Sequence, residues 1–314
     1  MRFLLAVVAT ALVLGASPSI DRTAARQSPR QPYLGLTYID RTDAAPRALR
    51  MHVVQVDLEA PGIRFKLSAP SGAREVIRQT TLEFLRAEGA QVAINAHFFW
   101  PWPSTEPESD LVGIAASEGR VFSPFESPIQ NYALVADAPG LNLDAANRAT
   151  LVHRDRTKSN GLSIIEPVTL WNTVAGSAQI VTAGVVTIPT YGGAGEAGAL
   201  LTPGGPGSYS NARSWYAALN ARTAIAVSRD SRTLTLFTVD VRGGSGGMTV
   251  REVAEVLVKD YGAWHALNLD GGGSTSMAMA DPDTREARLV NVTPDGVAGR
   301  AVGSSLAVFA SPRR

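Results

Sequence analysis

Residues 268–279 read NLDGGGSTSMAM, and no other stretch limits the fold so tightly. Three consecutive glycines weaken any helix or strand, so the chain must leave one regular element before Gly271 and enter another after the hydroxyl run. The preceding HALNLD is short and apolar enough for a buried strand, which would deliver Asp270 to the rim of a sheet. Without β-carbons, Gly271, Gly272 and Gly273 can take positive φ and admit a ligand close to the main chain. Their N–H groups, with Ser274, Thr275 and Ser276, can form an anion nest beside a carboxylate. The same residues also suit a tight turn in which Asp270 bonds its own loop, and the turn alone leaves both readings open. Nucleotide loops are excluded on spacing. No Lys follows the glycines as a Walker A loop requires, and Met277–Ala280 runs into the turn DPDT instead of opening a helix.

Upstream, RTAIAVS and RTLTLFTVDV flank the turn RDS and predict a hairpin. After the loop RGGSGG, Thr249 and Glu252 form a capping box that opens the helix VREVAEVLVKDY, closed by Gly262. Its apolar stripe runs through Val250, Val253, Ala254, Leu257 and Tyr261. Earlier in the chain, MHVVQVDL and IRFKLSA alternate on either side of APG and read as a second hairpin. A short helix follows, capped by Thr80 or Thr81 and ended by Gly89, and then QVAIN, a strand that carries Asn95 at its end. Between about 110 and 240, β-branched residues alternate with turn signals, as in a set of short strands. TYGGAGEAGALLTPGGP is too glycine-rich for an element; it suits a loop covering a site or a solvated linker. Strand, helix, strand order occurs near the C-terminus, yet the remainder is antiparallel in character. The fold class is therefore α+β, with mixed, largely antiparallel sheets and a few packed helices.

Arg2, the apolar run Phe3–Leu14 and the small residues that follow have the order of a secretory signal, expected to be cleaved near Ala16. Residues 17–34 are expected to be a disordered lead-in. The apolar run is short for a bilayer span, so no stable membrane anchor is expected after cleavage. With no cysteine, the exported chain must rely on core packing. Its 29 basic and 28 acidic residues give no electrostatic reason for a nucleic-acid partner. The four histidines, His52, His97, His153 and His265, show no close ligand pair, and no calcium loop is present. No cofactor is implied, and whether a metal binds is left open. Trp100 and Trp102 suit sugar stacking or loop packing. Gly243, Ser245 and Gly247 satisfy a nucleophile-elbow pattern, but only His265 follows as a partner, too soon and inside a strand.

NLDGGGSTSM, preceded by GMTVREVAEVLVKDYGAWHAL, resembles the phosphodiester glycosidase family. VAINAHFF, DLVGIAASEGRV and LVNVTPDGVAGRAVGSSLAVF continue the resemblance over roughly residues 50–310. The chain departs from the family pattern at Ala96 and His97, which replace glycines, at VDVRGG, which keeps Asp240 and Arg242, and at Ser304, where Asn is usual. The resemblance implies a single catalytic domain over residues 35–314, secreted or periplasmic, that hydrolyses a sugar-1-phosphodiester. It implies Asp270 and then Asp240 as catalytic carboxylates. Asn95, His97, Arg222, Gly271, Gly272, Gly273, Ser274 and Arg300 would bind a phosphate-linked sugar or glycan. The alternatives are a non-catalytic carbohydrate-binding domain of the envelope and a serine hydrolase using Ser245.

Overall fold

The structure, a computed structural model, describes residues 26–125, 137–188 and 216–313. The chain begins with β1 (Arg26–Tyr33), β2 (Leu36–Asp43), β3 (Leu49–Asp57), β4 (Arg64–Leu67) and β5 (Val76–Ile77), followed by helix α1 (Thr81–Glu88). Next come β6 (Val92–Asn95), β7 (Phe99–Trp100), β8 (Glu108–Leu111), β9 (Ala115–Ser117) and β10 (Arg120–Ser123). β11 (Gly140–Leu143), β12 (Ala149–Val152), β13 (Asn172–Ala175), β14 (Ala178–Thr182) and β15 (Val185–Val186) follow. The last third holds β16 (Arg222–Ser228), β17 (Thr233–Val239), α2 (Val250–Tyr261) and β18 (Ala263–Asn268). A single 3-10 turn at Gly272–Ser274 then leads to β19 (Met277–Ala280), β20 (Ala287–Leu289) and β21 (Ser305–Phe309).

Every ladder pair outside isolated bridges is antiparallel, as in β2 with β3, β16 with β17 and β6 with β21. One sheet has eight strands in the order β1-β2-β3-β17-β16-β18-β14-β15, and a second has five in the order β20-β19-β6-β21-β4. A third, β10-β9-β13-β11-β12, and the small sheet β5-β8-β7 complete the ladders. The central strands of the eight-stranded sheet are buried on both faces. Val54, Val56, Ile225, Leu236 and Leu267 pack against Phe65, Val92, Ile94, Met277 and Leu306 of the second sheet. Their neighbours Val53, Ala224, Ala226, Phe237 and Ala266 pack instead against Val250, Val253, Ala254 and Leu257 of α2. On the far side of the second sheet, Ala93, Ala278 and Ala307 meet Phe84 and Leu85 of α1. The result is four layers, helix, sheet, sheet, helix. It explains why strands such as TAIAVS and MAMA read as continuous apolar runs instead of alternating. The alanines fall on the faces turned to the helices, where short side chains let a helix axis come close.

The expected capping box at Thr249 forms, and of the two candidate caps of the first helix Thr80 serves, also as a capping box. Thr80 accepts from the Glu83 N–H and Thr249 from the Glu252 N–H, and each helix ends at a left-handed glycine, Gly89 or Gly262. The β16–β17 hairpin also forms as read. Because β16 is antiparallel to both β17 and β18, those two run in the same direction with β16 between them. The strand, helix, strand order around α2 is thus a crossover that skips one strand. The overall class is α+β in its coarse form, dominated by sheet.

Two expectations are corrected. β3 and β4 do not pair: β3 lies between β2 and β17, whereas β4 joins β21 in the other sheet. The APG turn carries the chain from one layer to the next, and alternation on either side of a turn cannot distinguish that from a hairpin. Part of the expected disordered lead-in is ordered, since residues 26–33 form β1 against β2. The expected signal segment 1–16, the rest of the lead-in to residue 25 and the glycine-rich stretch TYGGAGEAGALLTPGGP lie outside the described residues.

Candidate active site

The C-terminal ends of β17 and β18 and the start of β16 share one edge of the eight-stranded sheet, with Arg222 opposite Val239 and Ala224 opposite Asn268. Past β18 the chain keeps its hold on β16: the Leu269 N–H donates to the Thr223 carbonyl at 2.9 Å and Gly272 N–H to Ala221 at 2.8 Å. On its other side the Asp270 N–H donates to the Ala96 carbonyl, just beyond β6 of the second sheet, at 2.9 Å. Asp270 therefore sits at the seam where the two sheets meet. Asn95 fastens that seam. Its Nδ2 donates to the Asp270 carbonyl at 2.6 Å, and its Oδ1 accepts from Thr223 Oγ1 and the Ser276 N–H, each at 2.9 Å. Fully buried, Asn95 positions the turn instead of facing a ligand.

Asp270 is 7% exposed. Burial pushes its carboxyl up to about 7, against the opposing pull of the Ser274 hydroxyl, the Arg300 charge and the Gly271 N–H. The Ser274 hydroxyl in turn accepts from Arg300 Nη1 at 3.2 Å. Guanidinium, hydroxyl and carboxyl thus form one chain of donors ending on Asp270. Arg300 is held on every side. Nε donates to Asp295 Oδ2 at 2.6 Å, Nη2 lies 2.5 Å from the same oxygen, and the guanidinium carbon stands 3.8 Å from the Trp102 ring centroid.

Gly273 supplies the floor under Arg300. A β-carbon there would lie 2.0 Å from Arg300 Nη2 and 2.8 Å from Asp295 Oδ2. The turn itself needs Gly272, at φ +58°. Gly273→Ala is accordingly expected to displace Arg300 and cut kcat/KM by about a hundredfold, with only about 1–3 kcal/mol of stability lost to the forced shift. Steady-state kinetics beside thermal melting check this. Unchanged kinetics would mean that the Arg300 position does not matter.

Other expected site residues are placed differently. Two of the three triglycine N–H groups are engaged within the protein, Gly271 with the Asp270 carboxyl and Gly272 with the Ala221 carbonyl, and the Ser274 N–H donates back to Gly271 at 3.1 Å. Arg222 is fully buried; its Nε donates to the Met248 carbonyl at 3.0 Å and Nη2 to Ala218. Its guanidinium ties two loops to the sheet edge, and burial pulls its pKa down to about 9. A strand-initial arginine carries no sequence signal of which way it turns.

His97 is likewise enclosed. Nδ1 lies 2.9 Å from Ser304 Oγ, and Nε2 takes the Ala175 N–H at 2.9 Å. Nε2 also lies 3.1 Å from the Ile114 carbonyl, so the ring is surrounded by protein partners whichever nitrogen carries the proton. Burial lowers its pKa to about 4, which keeps the imidazole neutral. His97 and Ser304, two separate departures from the family pattern, are therefore one contact that links β13 to the second sheet.

Asp240 is fully buried as well. Its Oδ2 accepts the Val292 N–H at 3.2 Å and lies 3.4 Å from His52 Nε2. Through that contact it anchors the segment that carries Asp295 and Arg300. Ser245 donates to the Asp240 carbonyl at 2.6 Å and accepts the Arg50 N–H at 3.0 Å. Its hydroxyl is a loop fastener with no imidazole beside it. Residues the sequence did not single out include Asp295, Asn291, which grips Met277 N–H and the Thr275 carbonyl, and Arg78, which holds the Pro101 and Ser104 carbonyls beside Trp102. The only available signal for Asp295 was its position in the turn TPDG, five residues before Arg300. Among the described residues, no group of three His, Asp or Glu side chains could hold a metal ion.

A model of the phosphodiester glycosidase family matches residues 88–309, which take in Asn95, Asp270, Asp295 and Arg300. No curated protein matches in sequence. Solved structures share the fold. A hypothetical protein from Synechocystis superposes with a TM-score of 0.56 at 18% identity, over 92% of this chain and 64% of that one. This chain thus spans under two-thirds of that protein. The zebrafish N-acetylglucosamine-1-phosphodiester alpha-N-acetylglucosaminidase catalytic domain, auto-inhibited by its pro-peptide, gives 0.55 at 18% identity, over 94% and 86%. A Burkholderia pseudomallei protein designated as exported gives 0.55 at 18%, over 87% and 77%.

Proposed function

The chain belongs to the phosphodiester glycosidase family, and from that premise we propose that it hydrolyses a sugar-1-phosphodiester of the N-acetylglucosamine-1-phosphodiester kind, releasing free sugar and a phosphomonoester. The observation that carries this reading is the Arg300–Ser274–Asp270 chain on a bare glycine turn at the seam of two sheets. A phosphomonoester leaving group has a second pKa near ~6 and needs little protonation. It needs its charge held, and Arg300 does so with a planar guanidinium braced by Trp102 and Asp295. As the bond from the anomeric carbon to the phosphate oxygen breaks, positive charge grows on the sugar. Asp270, when ionised, faces that charge from the far side of Ser274.

The serine-hydrolase alternative is disfavoured because the Ser245 hydroxyl is engaged by backbone on both sides. A purely sugar-binding domain would give no turnover. Hydrolysis of a panel of sugar-1-phosphodiesters in oxygen-18 water is expected to put the label on the sugar, and Ser245→Ala is expected to keep activity. Label on the phosphate, or no turnover by folded protein on any member, would sink the glycosidase reading.

We further place the mature protein outside the cytoplasm, secreted or periplasmic. The charged, apolar and small-residue order of residues 1–16 supports this. No helix of the described residues is long and apolar enough to cross a membrane. Intact mass is expected to show loss of about the first 16 residues; an uncleaved chain in the membrane fraction would contradict it.

A further inference from the structure

We propose that Asp295 makes the Arg300 subsite select a singly charged phosphodiester over a doubly charged phosphomonoester, by fixing one negative charge on the guanidinium that receives the phosphate. The proposal rests on the reading of Arg300 as the phosphate subsite and adds to it the charge state of the ligand.

The geometry leaves one approach to Arg300. Trp102 covers one face of the guanidinium and Gly273 the other. The edge formed by Nε and Nη2 is closed by Asp295 Oδ2. Nη1 gives one N–H to Ser274. Of the five N–H groups on an arginine, the two that remain, one on each terminal nitrogen, have no acceptor among the described residues. These two N–H groups are the ones left to receive the oxygens of a phosphate. The Arg300 side chain is 19% exposed and that of Asp295 42%, so solvent and small anions reach the pair.

A phosphate bound on that edge shares one planar cation with Asp295. Each unit of negative charge on the phosphate meets the Asp295 carboxylate once, so a dianion meets twice the repulsion of a monoanion. Asp270 stands on the same side through Ser274 and adds no positive charge. The Asp295 carboxylate already matches the guanidinium charge, so a bound monoanion leaves one excess negative charge and a dianion leaves two. The substrate proposed above is a phosphodiester monoanion, and its product is a phosphomonoester that is mostly dianionic above its second pKa, ~6. Asp295 would therefore disfavour the product more than the substrate. It would also refuse free sugar-1-phosphates, which already carry the second charge.

Asp295→Asn removes the charge while keeping an oxygen that can accept from Nε and Nη2. Because Asp295 lies in a half-exposed turn, the change leaves the core untouched. The test uses simple anions, so it does not depend on turnover. Dimethyl phosphate and methyl phosphate are titrated at pH 8 into the full-length parent, Asp295→Asn and Arg300→Ala, with melting curves recorded beside them. The expected result is that Asp295→Asn strengthens methyl phosphate binding about tenfold more than dimethyl phosphate binding, as one fewer nearby charge implies. An unchanged ratio between the two anions, or weakening of both, would overturn the proposal and make Asp295 a prop for Arg300 only. The Arg300→Ala arm separates the two levels. If that variant binds both anions as the parent does, the phosphate subsite itself is misplaced and the selectivity proposal falls with it.

Discussion

Asp270→Asn is expected to lose turnover on the order of a thousandfold while melting higher than the parent at pH 8. The two halves of this result have one cause. Burial raises the Asp270 carboxyl from its ordinary 3.8 to about 7, so the folded chain holds this proton more tightly than the unfolded one. The associated stability is complete below 3.8 and is lost as pH rises through about 7. At pH 8 the parent carries a buried, ionised carboxylate at a cost of up to about 4 kcal/mol. The carboxamide is neutral, so it avoids this penalty but cannot balance an oxocarbenium-like charge. Melting at pH 4 and pH 8 should therefore show the variant gaining on the parent only at the higher pH. The parent's kcat/KM should climb with pH through a limb near 7, the signature of a group needed in its ionised form in the free enzyme. A variant that turns over at parental rates would remove Asp270 from the chemistry.

Arg300→Ala is the second large effect, about a hundredfold to a thousandfold in kcat/KM. The loss should appear in both KM and kcat if, as proposed, the guanidinium holds phosphate in the ground state and takes up more charge as the leaving group forms. Stability should change by no more than about 1 kcal/mol, since the ion pair with Asp295 is partly exposed. Arg300→Lys restores the charge but not the plate that lies between Trp102 and Gly273, nor the paired N–H edge. It should recover only a small part of the loss. Full activity in the lysine variant would show that a point charge suffices and that the stacking is incidental.

Local signals in the sequence were read well because they are local. Thr80 with Glu83 and Thr249 with Glu252 are complete within four residues, and the β16–β17 hairpin is set by a short turn. The assignment of β3 and β4 to different sheets failed for the opposite reason: their partners, β17 and β21, lie far along the chain. In the site, the glycine turn marked the place but not the donor. Whether the Gly272 N–H faces a ligand or the Ala221 carbonyl depends on β16, and nothing within the turn encodes that. Arg222 and Asp240 look like site residues by chemistry, yet each lies fully inside. Asp295 looks like an ordinary turn acid, yet it stands against Arg300. The departures at His97 and Ser304 became intelligible only together, once the fold brought two residues more than two hundred apart within 2.9 Å.

The seam fastened by Asn95 also bears on when activity can first arise. Asn95 comes early in the chain, its partners Thr223, Asp270 and Ser276 come much later, and Arg300 later still. A chain leaving the ribosome has no site while β6 waits for β16 and the glycine turn, and none until residue 300 has emerged. Truncated products that lack either end of this span lack part of the Asn95–Asp270–Arg300 arrangement, however well their remaining strands pair. On the reading proposed above, the topology itself delays the chemistry until synthesis is far advanced.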